Sequence, residues 1–331
     1  MAKPPLLSVQ DLVVEFPTRR GTLTAVDRVS FDLAEGEILG VVGESGAGKS
    51  LTGSAIIGLL EPPGRIAEGS VHLEGQRIDN LSGEAMRHIR GDKIGMIFQD
   101  PLTSLNPLLT IGQQLTETIR THRPISQSKA RARALDLLNE VGIPAPERRI
   151  DHYPHQLSGG MRQRIVISLA LAAEPRLVIA DEPTTALDVS IQAQITSLLK
   201  RLCREHGTAV ILITHDMGVI AETAERVAVM YAGRVVEIGP VRDVVKAARH
   251  PYTKGLMGAI PKVGDSLDRL TQIRGSMPRL TNIPTGCAFN PRCSEVFDRC
   301  RAAPRPELVT AGTTRAACWL YAQEREETAN G

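Results

Sequence analysis

Residues 43–50 read GESGAGKS, and this stretch restricts the fold more than any other part of the sequence. It fits the pattern G-x-x-x-x-G-K-[ST], and it stands between an apolar run, EILGVVG, and a segment of helical character, KSLTGSAIIGLL. The backbone N–H groups of such a glycine-rich loop can surround phosphate groups, and the N-terminus of the following helix adds partial positive charge. The sequence therefore predicts a phosphate-binding loop between a strand and a helix.

The last residues of this loop, and the residue that follows it, have predicted contacts with a bound nucleotide. Lys49 is predicted to bind the β- and γ-phosphates of a nucleotide as a point charge, and Ser50 to coordinate Mg²⁺. Leu51 stands where many such loops carry a second hydroxyl, which leaves its backbone N–H for the α-phosphate. The predicted nucleotide-binding residues of the loop are Gly43, Glu44, Ser45, Gly46, Ala47, Gly48, Lys49, Ser50 and Leu51.

Strand-like runs precede the loop and return later in the chain. A hairpin is predicted at residues 69–78 and a strand pair at residues 226–239. Alternating or continuous apolar stretches predict further strands at residues 6–16, 25–34 and 37–43, and again at 176–182 and 208–215. The segment between the last two has helical periodicity. A strand–loop–helix unit followed by a strand–helix–strand unit predicts an α/β fold with a mainly parallel sheet.

The periodicity also predicts how the chain is divided. Helical character between about residues 100 and 175 indicates an inserted helical subdomain. A length of 331 residues accommodates one large domain and one small one. Near residue 260 the periodicity weakens, and Pro and Gly become more frequent. We therefore predict a main domain over residues 1–260 and a loop-rich extension that carries the cysteines over residues 261–331.

Residues 177–182, LVIADE, form an apolar run that ends in two acids. A buried strand that ends in Asp at the mouth of a parallel sheet is an expected place for Mg²⁺, so Asp181 is predicted to hold the ion through water. Glu182 is predicted to polarise the attacking water as a general base. The alternative interpretation, an acidic helix cap in DEPT, is disfavoured by the loop at residues 43–50.

A second anion-binding pattern occurs at residues 157–164, LSGGMRQR. Two glycines follow a serine at the start of a predicted helix, whose N-terminus carries partial positive charge. One chain does not need two sets of groups for one phosphate chain. The second pattern is therefore predicted to bind a nucleotide that another subunit holds.

In their order and approximate spacing, these motifs resemble those of the ATP-binding-cassette (ABC) ATPases over residues 6 to about 240. LSGGMRQR matches the family's signature motif, and Gln99 in IFQDP matches its Q-loop. Asp188 in TTALD matches the D-loop, and His215 in LITHD matches the switch histidine. The resemblance implies a P-loop NTPase fold with a RecA-like core sheet, an antiparallel β part and an inserted helical subdomain. It also implies ATP and Mg²⁺ as ligands.

The resemblance further implies that two cassettes pair head to tail. Each ATP would lie between the loop at residues 43–50 of one chain and the signature motif of the other. The signature residues that would face the partner's ATP are Ser158, Gly159, Gly160 and Gln163.

The resemblance implies individual catalytic and binding roles as well. His215 would contact the γ-phosphate, and Gln99 would sense Mg²⁺ and the attacking water, so both would act with Glu182. Phe16 in VVEFPTRRG would stack on the adenine, and its alternative role is packing in the core. The implied Mg²⁺ ligands are Ser50, Gln99 and Asp181.

Longer stretches are similar to the dipeptide, oligopeptide and nickel importer group of these ATPases. They are FQDPLTSLNPLLTIGQQL, YPHQLSGGMRQR, EPTTALDVSIQAQI and HPYTKGLMGAIP, together with the tail GSMPRLTNIPTGCAFNPRC. The resemblance implies a peripheral protein on the cytoplasmic face of the bacterial inner membrane that couples ATP hydrolysis to peptide uptake. The implied partners are a second ATPase subunit, identical or different, two transmembrane permease subunits and an extracytoplasmic solute-binding protein.

Two alternatives to peptide uptake remain open. The same architecture could import nickel or a glycoside, or the chain could be a soluble ABC ATPase that acts on nucleic acid or ribosomes. A net charge of +2 and an aromatic content of 3% disfavour a nucleic-acid partner, and we predict none. No apolar run approaches the roughly 18 residues of a membrane span, and the N-terminal residues do not form a secretory signal, so a cytosolic location is expected.

Four of the five cysteines lie near the end of the chain, at Cys287, Cys293, Cys300 and Cys318. In the reducing cytosol, clustered thiols suggest a metal more than disulfides. Their spacing lacks the C-x-x-C pair common in structural zinc sites, and wide loops suit the separate corners of a cubane. The importer group's extension holds an iron–sulfur cluster in some members. We therefore predict a [4Fe–4S] cluster, with Zn²⁺ or reduced thiols as alternatives, and a structural role.

Overall fold

The structure, a computed structural model, describes residues 4–184, 188–259 and 273–322. Packing divides the chain into two compact units, each assembled from separate stretches of sequence. The first unit consists of Met1–Leu6, Leu33–Ile38 and Asn80–Ile213, and the second consists of Leu7–Asp32, Leu39–Asp79 and Thr214–Gly331.

Strands are numbered in chain order. They are β1 Leu7–Thr18, β2 Gly21–Leu33, β3 Ile38–Val42, β4 Arg65–Leu73, β5 Gln76–Arg77, β6 Ile94–Ile97, β7 Leu177–Asp181, β8 Ala209–Thr214, β9 Arg226–Tyr231, β10 Arg234–Pro240, β11 Val309–Ala311 and β12 Thr314–Ala316.

The α-helices are numbered in the same way. They are α1 Lys49–Ile56, α2 Gly83–Ile89, α3 Pro101–Ser104, α4 Ile111–His122, α5 Gln127–Glu140, α6 Pro146–Arg149, α7 Gly159–Leu171, α8 Val189–His206, α9 Met217–Thr223, α10 Val241–Ala247, α11 Pro251–Gly258 and α12 Asp298–Arg301. None of the helices within the described ranges is both long enough and apolar enough to cross a membrane.

The second unit contains two β structures. An antiparallel sheet has the strand order β2-β1-β4-β5, and its strand β1 pairs with β4 from Leu7 opposite Leu73 to Glu15 opposite Arg65. The other β structure has the order β11-β12-β10-β9-β3, in which β3 runs parallel to β9 and the remaining neighbours are antiparallel. All five residues of β3 are buried, as expected of an apolar strand covered on both faces.

The first unit contains parallel strands in the order β8-β7-β6 and the helices from α2 to α8. Every residue of β7 and β8 is buried, which explains their continuous apolar sequences. Helix α4 begins at a capping box, in which the Thr110 hydroxyl accepts from the Gln113 N–H and the Gln113 side chain accepts from the Thr110 N–H. Helices α3 to α7 lie within about residues 100–175, the range of the predicted helical insertion, and the bounds of that subdomain stay a prediction.

A buried carboxylate ties the C-terminal segment to the second unit. Glu237 of β10 has no exposed surface, and it accepts hydrogen bonds from the backbone N–H groups of Arg249 and His250, each over 2.9 Å. The Thr314 hydroxyl of β12 is a third donor, at 3.3 Å. Because a buried carboxylate needs such partners, Glu237 holds β12 and the start of α11 against β10.

The structure contains the predicted α/β elements, including the antiparallel β part and the helical insertion. The predicted domain boundary near residue 260 falls in residues 260–272, which lie outside the described residues. The extension predicted to be loop-rich also contains β11 and β12, which the sequence analysis missed.

Candidate nucleotide site

The glycine-rich loop, residues 43–50, connects β3 to α1 in the second unit. Gly43 has φ 155°, and a Cβ atom there would lie 2.3 Å from the Met230 carbonyl oxygen, so only glycine fits. Gly48 is the N-cap of α1 with φ 98°, and it has no side chain that could occupy the front of the helix. The loop therefore approaches its neighbours closely and leaves the N-terminus of α1 unobstructed by a cap side chain.

Lys49 is fixed within this loop. The residue is only 5% exposed, and Nζ donates to the carbonyl oxygens of Gly43 over 2.8 Å and Glu44 over 3.1 Å. Ser45, Gly46 and Ser50 are exposed. The loop thus holds a nearly buried ammonium group beside an exposed hydroxyl, an arrangement that can bind phosphate and a divalent cation.

Phe16 lies near the end of β1 and is half-buried. Its ring lies against Gly64, where a Cβ atom would be 2.7 Å from the Phe16 Cε1 atom. The ring therefore packs on backbone along one edge, and the stacking on adenine stays a prediction.

His215 directly follows β8 and is exposed. The next residue, Asp216, is the N-cap of α9, and its Oδ1 accepts from the N–H groups of Gly218 over 2.7 Å and Val219 over 3.3 Å. The THD sequence therefore combines an exposed imidazole with a neighbouring helix cap that fixes the backbone turn.

The acidic strand end lies in the first unit. Asp181 is the last residue of β7 and is 8% exposed, and Glu182 is half-buried. Glu182 has φ 44°, and its N–H donates to the Ile213 carbonyl oxygen over 2.9 Å. A left-handed backbone conformation is unfavourable for a glutamate. The fold therefore imposes this conformation, and with it the orientation of the side chain, at a local cost in conformational free energy.

Gln99 lies beside this glutamate. Its Nε2 donates to Oε2 of Glu182 over 3.3 Å. The structure thereby brings together two of the three residues predicted to be catalytic. The carboxylate and the amide can both bind a water molecule or an oxygen-coordinated cation.

The residues of the signature motif differ in exposure. Ser158 and Gly159 are exposed, and Ser158 is the N-cap of α7, with its Oγ accepting from the Met161 N–H over 3.3 Å. Gly160 is partly exposed. Gln163 is only 1% exposed, and no hydrogen-bond partner for its Nε2 lies within the described part of the chain. Direct contact between Gln163 and a partner's nucleotide therefore does not fit this conformation.

The predicted D-loop is described only at its ends. Residues 185–187 lie outside the described residues. Thr184 is buried, and Asp188 is exposed as the N-cap residue of α8. The role of Asp188 stays a prediction.

The four clustered cysteines line one small cavity together with His250, Phe289 and Trp319. All five cysteines are within the described ranges and are free thiols. Burial raises the pKa of Cys287 to about 11 and that of Cys318 to about 12, and it also raises the pKa of Cys293. Within the described residues, no three His, Cys, Asp or Glu side chains come close enough to hold one metal ion.

Sequence reasoning missed two residues that touch the loop. The guanidinium of Arg292 forms an ion pair with Glu44 at 3.1 Å, and the hydroxyl of Tyr252 accepts from the Glu44 N–H at 2.8 Å. The two partners lie more than 200 residues from Glu44 in the sequence, so no local pattern indicates them.

Two family descriptions match the chain. The one described as ABC transporter matches residues 26–185, and the one described as Oligopeptide/dipeptide transporter, C-terminal region, matches residues 236–300. The chain is 49% identical to the dipeptide transport ATP-binding protein DppD of Bacillus subtilis, over 97% of this chain and 96% of that protein. This chain belongs to the ABC transporter family.

Other relatives extend the similarity. The chain is 52% identical to the oligopeptide transport ATP-binding protein OppD of Bacillus subtilis, over 95% of this chain and 88% of that protein. It is 48% identical to DppD of Escherichia coli K12, over 90% of this chain and 91% of that protein. As an ABC ATPase, the chain binds ATP with Mg²⁺ and hydrolyses it.

Solved structures agree with the fold. The dimeric ATP-binding cassette MJ0796, bound to ADP and Pi in a post-hydrolysis state, matches with a TM-score of 0.64 and 32% identity, over 71% of this chain and 99% of that one. The cassette cbiO1 from Clostridium perfringens, part of the ABC transporter complex cbiONQ, also matches with a TM-score of 0.64, at 27% identity over 74% of this chain and 92% of that one. The α/β P-loop fold predicted for an ABC ATPase is confirmed.

Proposed function

We propose that this chain is the ATP-hydrolysing subunit of a peptide importer. The observation that carries this proposal is similarity along nearly the whole chain to ATP-binding proteins of dipeptide and oligopeptide transport. The match of residues 236–300 to the C-terminal region of such transporters supports it further, because an ABC cassette alone does not include that region.

ATP binds through the glycine-rich loop in this proposal. Lys49 contacts the β- and γ-phosphates, and backbone N–H groups of the loop and of Leu51 surround the phosphate chain. The exposed Ser50 hydroxyl, the Gln99 amide oxygen and the Asp181 carboxylate are oxygen donors of the kind that Mg²⁺ prefers. Phe16 contributes a face for the adenine.

Glu182 accepts a proton from the attacking water as general base. Its hydrogen bond with Gln99 supports this role, because it fixes the direction of one carboxylate oxygen. His215 contacts the γ-phosphate from the exposed end of β8. Bound Mg²⁺ would supply neutralisation of phosphate charge.

The signature motif acts on ATP held by a second ATPase subunit, identical or different. Exposure of Ser158 and Gly159 at the start of the 13-residue helix α7 supports this, since the positive end of a helix dipole favours an anion. The similarity to a dimeric cassette is consistent with such pairing. Asp188 belongs to the same interface.

The transporter also requires two transmembrane permease subunits and an extracytoplasmic solute-binding protein, which selects the peptide. The chain is then a peripheral protein at the cytoplasmic face of the inner membrane. Support comes from the transport roles named for its relatives.

The cysteines at positions 287, 293, 300 and 318 hold a [4Fe–4S] cluster in this proposal. Support comes from the convergence of the four thiols on one small cavity. A single Zn²⁺ needs sulfur ligands about 2.3 Å away, whereas a cubane spreads its ligands over four corners. The cavity is only about 10 Å³, so loading requires the thiols to move apart. The cluster would crosslink and so stabilise a segment that has little hydrophobic core of its own.

Iron, acid-labile sulfide and zinc are to be measured in the protein purified without oxygen. We expect iron and sulfide in equal amounts in the parent, and loss of both in Cys293→Ser but not in the matched control Cys203→Ser. Stoichiometric zinc without sulfide would instead support the zinc alternative.

Peptide import is tested by uptake of a labelled dipeptide and a labelled longer peptide in cells that lack redundant systems. Glu182→Gln is expected to abolish uptake of at least one of them. Glu205→Gln is the matched control, since Glu205 is an exposed residue of α8 paired with Arg201. Normal uptake of both peptides by cells with the Glu182→Gln variant would contradict peptide import. The conclusion that the chain hydrolyses ATP would still stand.

A further inference from the structure

Glu44 is the one acidic residue of the glycine-rich loop, and all three of its polar groups have partners in the second unit. Its N–H donates to the Tyr252 hydroxyl over 2.8 Å, and its carbonyl oxygen accepts from Lys49 Nζ over 3.1 Å. Both carboxylate oxygens accept from Nη1 of Arg292 over 3.1 Å. A single loop residue is therefore connected to the phosphate-binding lysine, to α11 and to the cysteine-bearing segment.

Arg292 is held firmly in this position. Its side chain is only 7% exposed, Nε donates to the Arg274 carbonyl oxygen over 2.9 Å, and Nη2 donates to that of Gly275 over 3.2 Å. These bonds use both sides of the planar guanidinium and direct Nη1 at Glu44. The guanidinium keeps its charge, since hydrogen bonds with Tyr231 and Glu44 outweigh the effect of burial and raise its pKa.

An aromatic cluster supports both contacts to Glu44. The rings of Tyr231, Tyr252 and Phe289 meet edge to face with centroid distances of 4.7 to 5.4 Å. Arg292 lies 5.8 Å from the Tyr231 ring centroid and 5.9 Å from that of Phe289. Because Tyr252 has no exposed surface, its hydroxyl is a fixed acceptor for the loop.

A carboxylate in a phosphate-binding loop is unfavourable for ATP, because it repels the triphosphate at short range. A largely buried guanidinium next to it cancels that charge in a place where solvent screening is weak. We infer that Arg292 is a positioning residue for ATP binding that acts through Glu44, because it holds the Glu44 carboxylate and neutralises its charge beside the phosphate site. This inference rests on the proposed binding of ATP phosphates by residues 43–50.

The inference predicts opposite effects for the two members of the pair. Arg292→Gln leaves the Glu44 carboxylate unneutralised, and we expect the Kd for ATP to rise about tenfold. Glu44→Gln removes the negative charge and leaves the positive charge of Arg292 uncompensated, and we expect ATP to bind as tightly as in the parent or about threefold more tightly. The double variant is expected to return to within about threefold of the parent, because neither charge remains.

The measurement is ATP titration of the full-length protein by calorimetry in EDTA, where hydrolysis is suppressed. Steady-state hydrolysis with Mg²⁺ adds a second readout: Arg292→Gln should raise KM for ATP and change kcat by less than about threefold, since it does not touch Glu182. A double variant that binds ATP as weakly as Arg292→Gln, or a Glu44→Gln variant that binds it more weakly than the parent, would overturn the inference. The Glu44→Gln result stands even if Arg292→Gln fails to fold.

Two controls separate the possible failures. Arg305 forms a comparable ion pair with Asp27 at 2.8 Å, and Asp27 keeps its other partner, Arg234, when Arg305 is changed. Arg305→Gln should leave ATP affinity unchanged, and an equal loss in this variant would contradict a specific role for Arg292. Lys49→Ala should weaken ATP binding strongly. Unchanged affinity in that variant would refute the proposed loop assignment, whereas a normal Arg292→Gln beside a weak Lys49→Ala would refute this inference alone.

Discussion

The amide nitrogen of Gln99 lies 3.3 Å from Oε2 of Glu182, to which it donates a hydrogen bond. The two residues follow different parallel strands, β6 and β7, and are 83 positions apart in the chain. The carboxylate that is proposed to accept a proton is therefore oriented by a side chain that lies just beyond the end of the neighbouring strand.

Glu182→Gln is expected to lower the rate of ATP hydrolysis by about a hundredfold to ten-thousandfold, the usual contribution of a general base. The introduced amide oxygen can still accept from Gln99, so the geometry is retained while the base is lost. ATP affinity should stay within a few-fold of the parent. Hydrolysis and ATP binding are to be measured on the same preparation, and a parent-like rate would refute the role of Glu182.

Gln99→Ala is expected to have a smaller effect, about tenfold on kcat, because it removes the orienting hydrogen bond but keeps the carboxylate. The double variant Gln99→Ala with Glu182→Gln should be little slower than Glu182→Gln alone, since the two residues act as a unit. Rate losses that multiply fully would show that Gln99 acts independently of Glu182.

Two substitutions of Ser158 distinguish its role as the N-cap of α7 from its proposed contact with a phosphate of the partner's ATP. Ser158→Ala removes the acceptor for the Met161 N–H and should lower stability by about 1 kcal/mol. Ser158→Asp retains a cap and favours the helix dipole, so the melting temperature should be unchanged or higher. In the assembled transporter, however, the added carboxylate should repel the partner's ATP and abolish hydrolysis. A parent-like hydrolysis rate for Ser158→Asp would show that Ser158 does not face a phosphate.

His122 should make the free energy of unfolding depend on pH. Burial of the ring, which lies against the backbone of Gly91, lowers its pKa, while Asp92 opposes this and Arg123 and His88 add to it. As pH falls through about 6.5, the unfolded chain therefore gains a proton more readily than the folded chain, and stability decreases. The slope stays well below about 1.4 kcal/mol per pH unit, since the ring is partly exposed.

The test compares melting at about pH 7.5 and about pH 5.5 for the parent and His122→Gln. The variant should lose less stability over this interval than the parent. His155→Gln, which changes an exposed histidine beside Tyr153, is the matched control and should behave as the parent. Equal losses in the parent and His122→Gln would refute this source of pH dependence.

Sequence reasoning works where a local pattern carries the structure. The buried strands β3, β7 and β8 are continuous apolar runs, and the glycine-rich loop has spacing that only a few structures satisfy. The strands β6, β11 and β12 were missed because three or four residues are too short to show a period.

Long-range contacts lay beyond sequence reasoning for a different reason. The pairing of Arg292 with Glu44 depends on the packing of α11 and the aromatic cluster, which no local pattern specifies. From the sequence alone, Arg292 is only a positive charge next to a cysteine. The burial of Gln163 was likewise not predictable from the sequence, because the polar residues of LSGGMRQR do not reveal which side of α7 faces inward.

The hairpin of β11 and β12 has a consequence for how this chain can be shortened. Through β12 it occupies the hydrogen-bonding side of β10 that does not face β9, with Glu237 opposite Ala316 and Ile238 opposite Arg315. A truncated protein that ends before residue 309 would expose β10 as an open strand edge rich in valine and isoleucine, next to an uncovered Glu237. Such an edge can pair with a second molecule, so removal of the cysteine-bearing segment is expected to give aggregates in place of a minimal cassette.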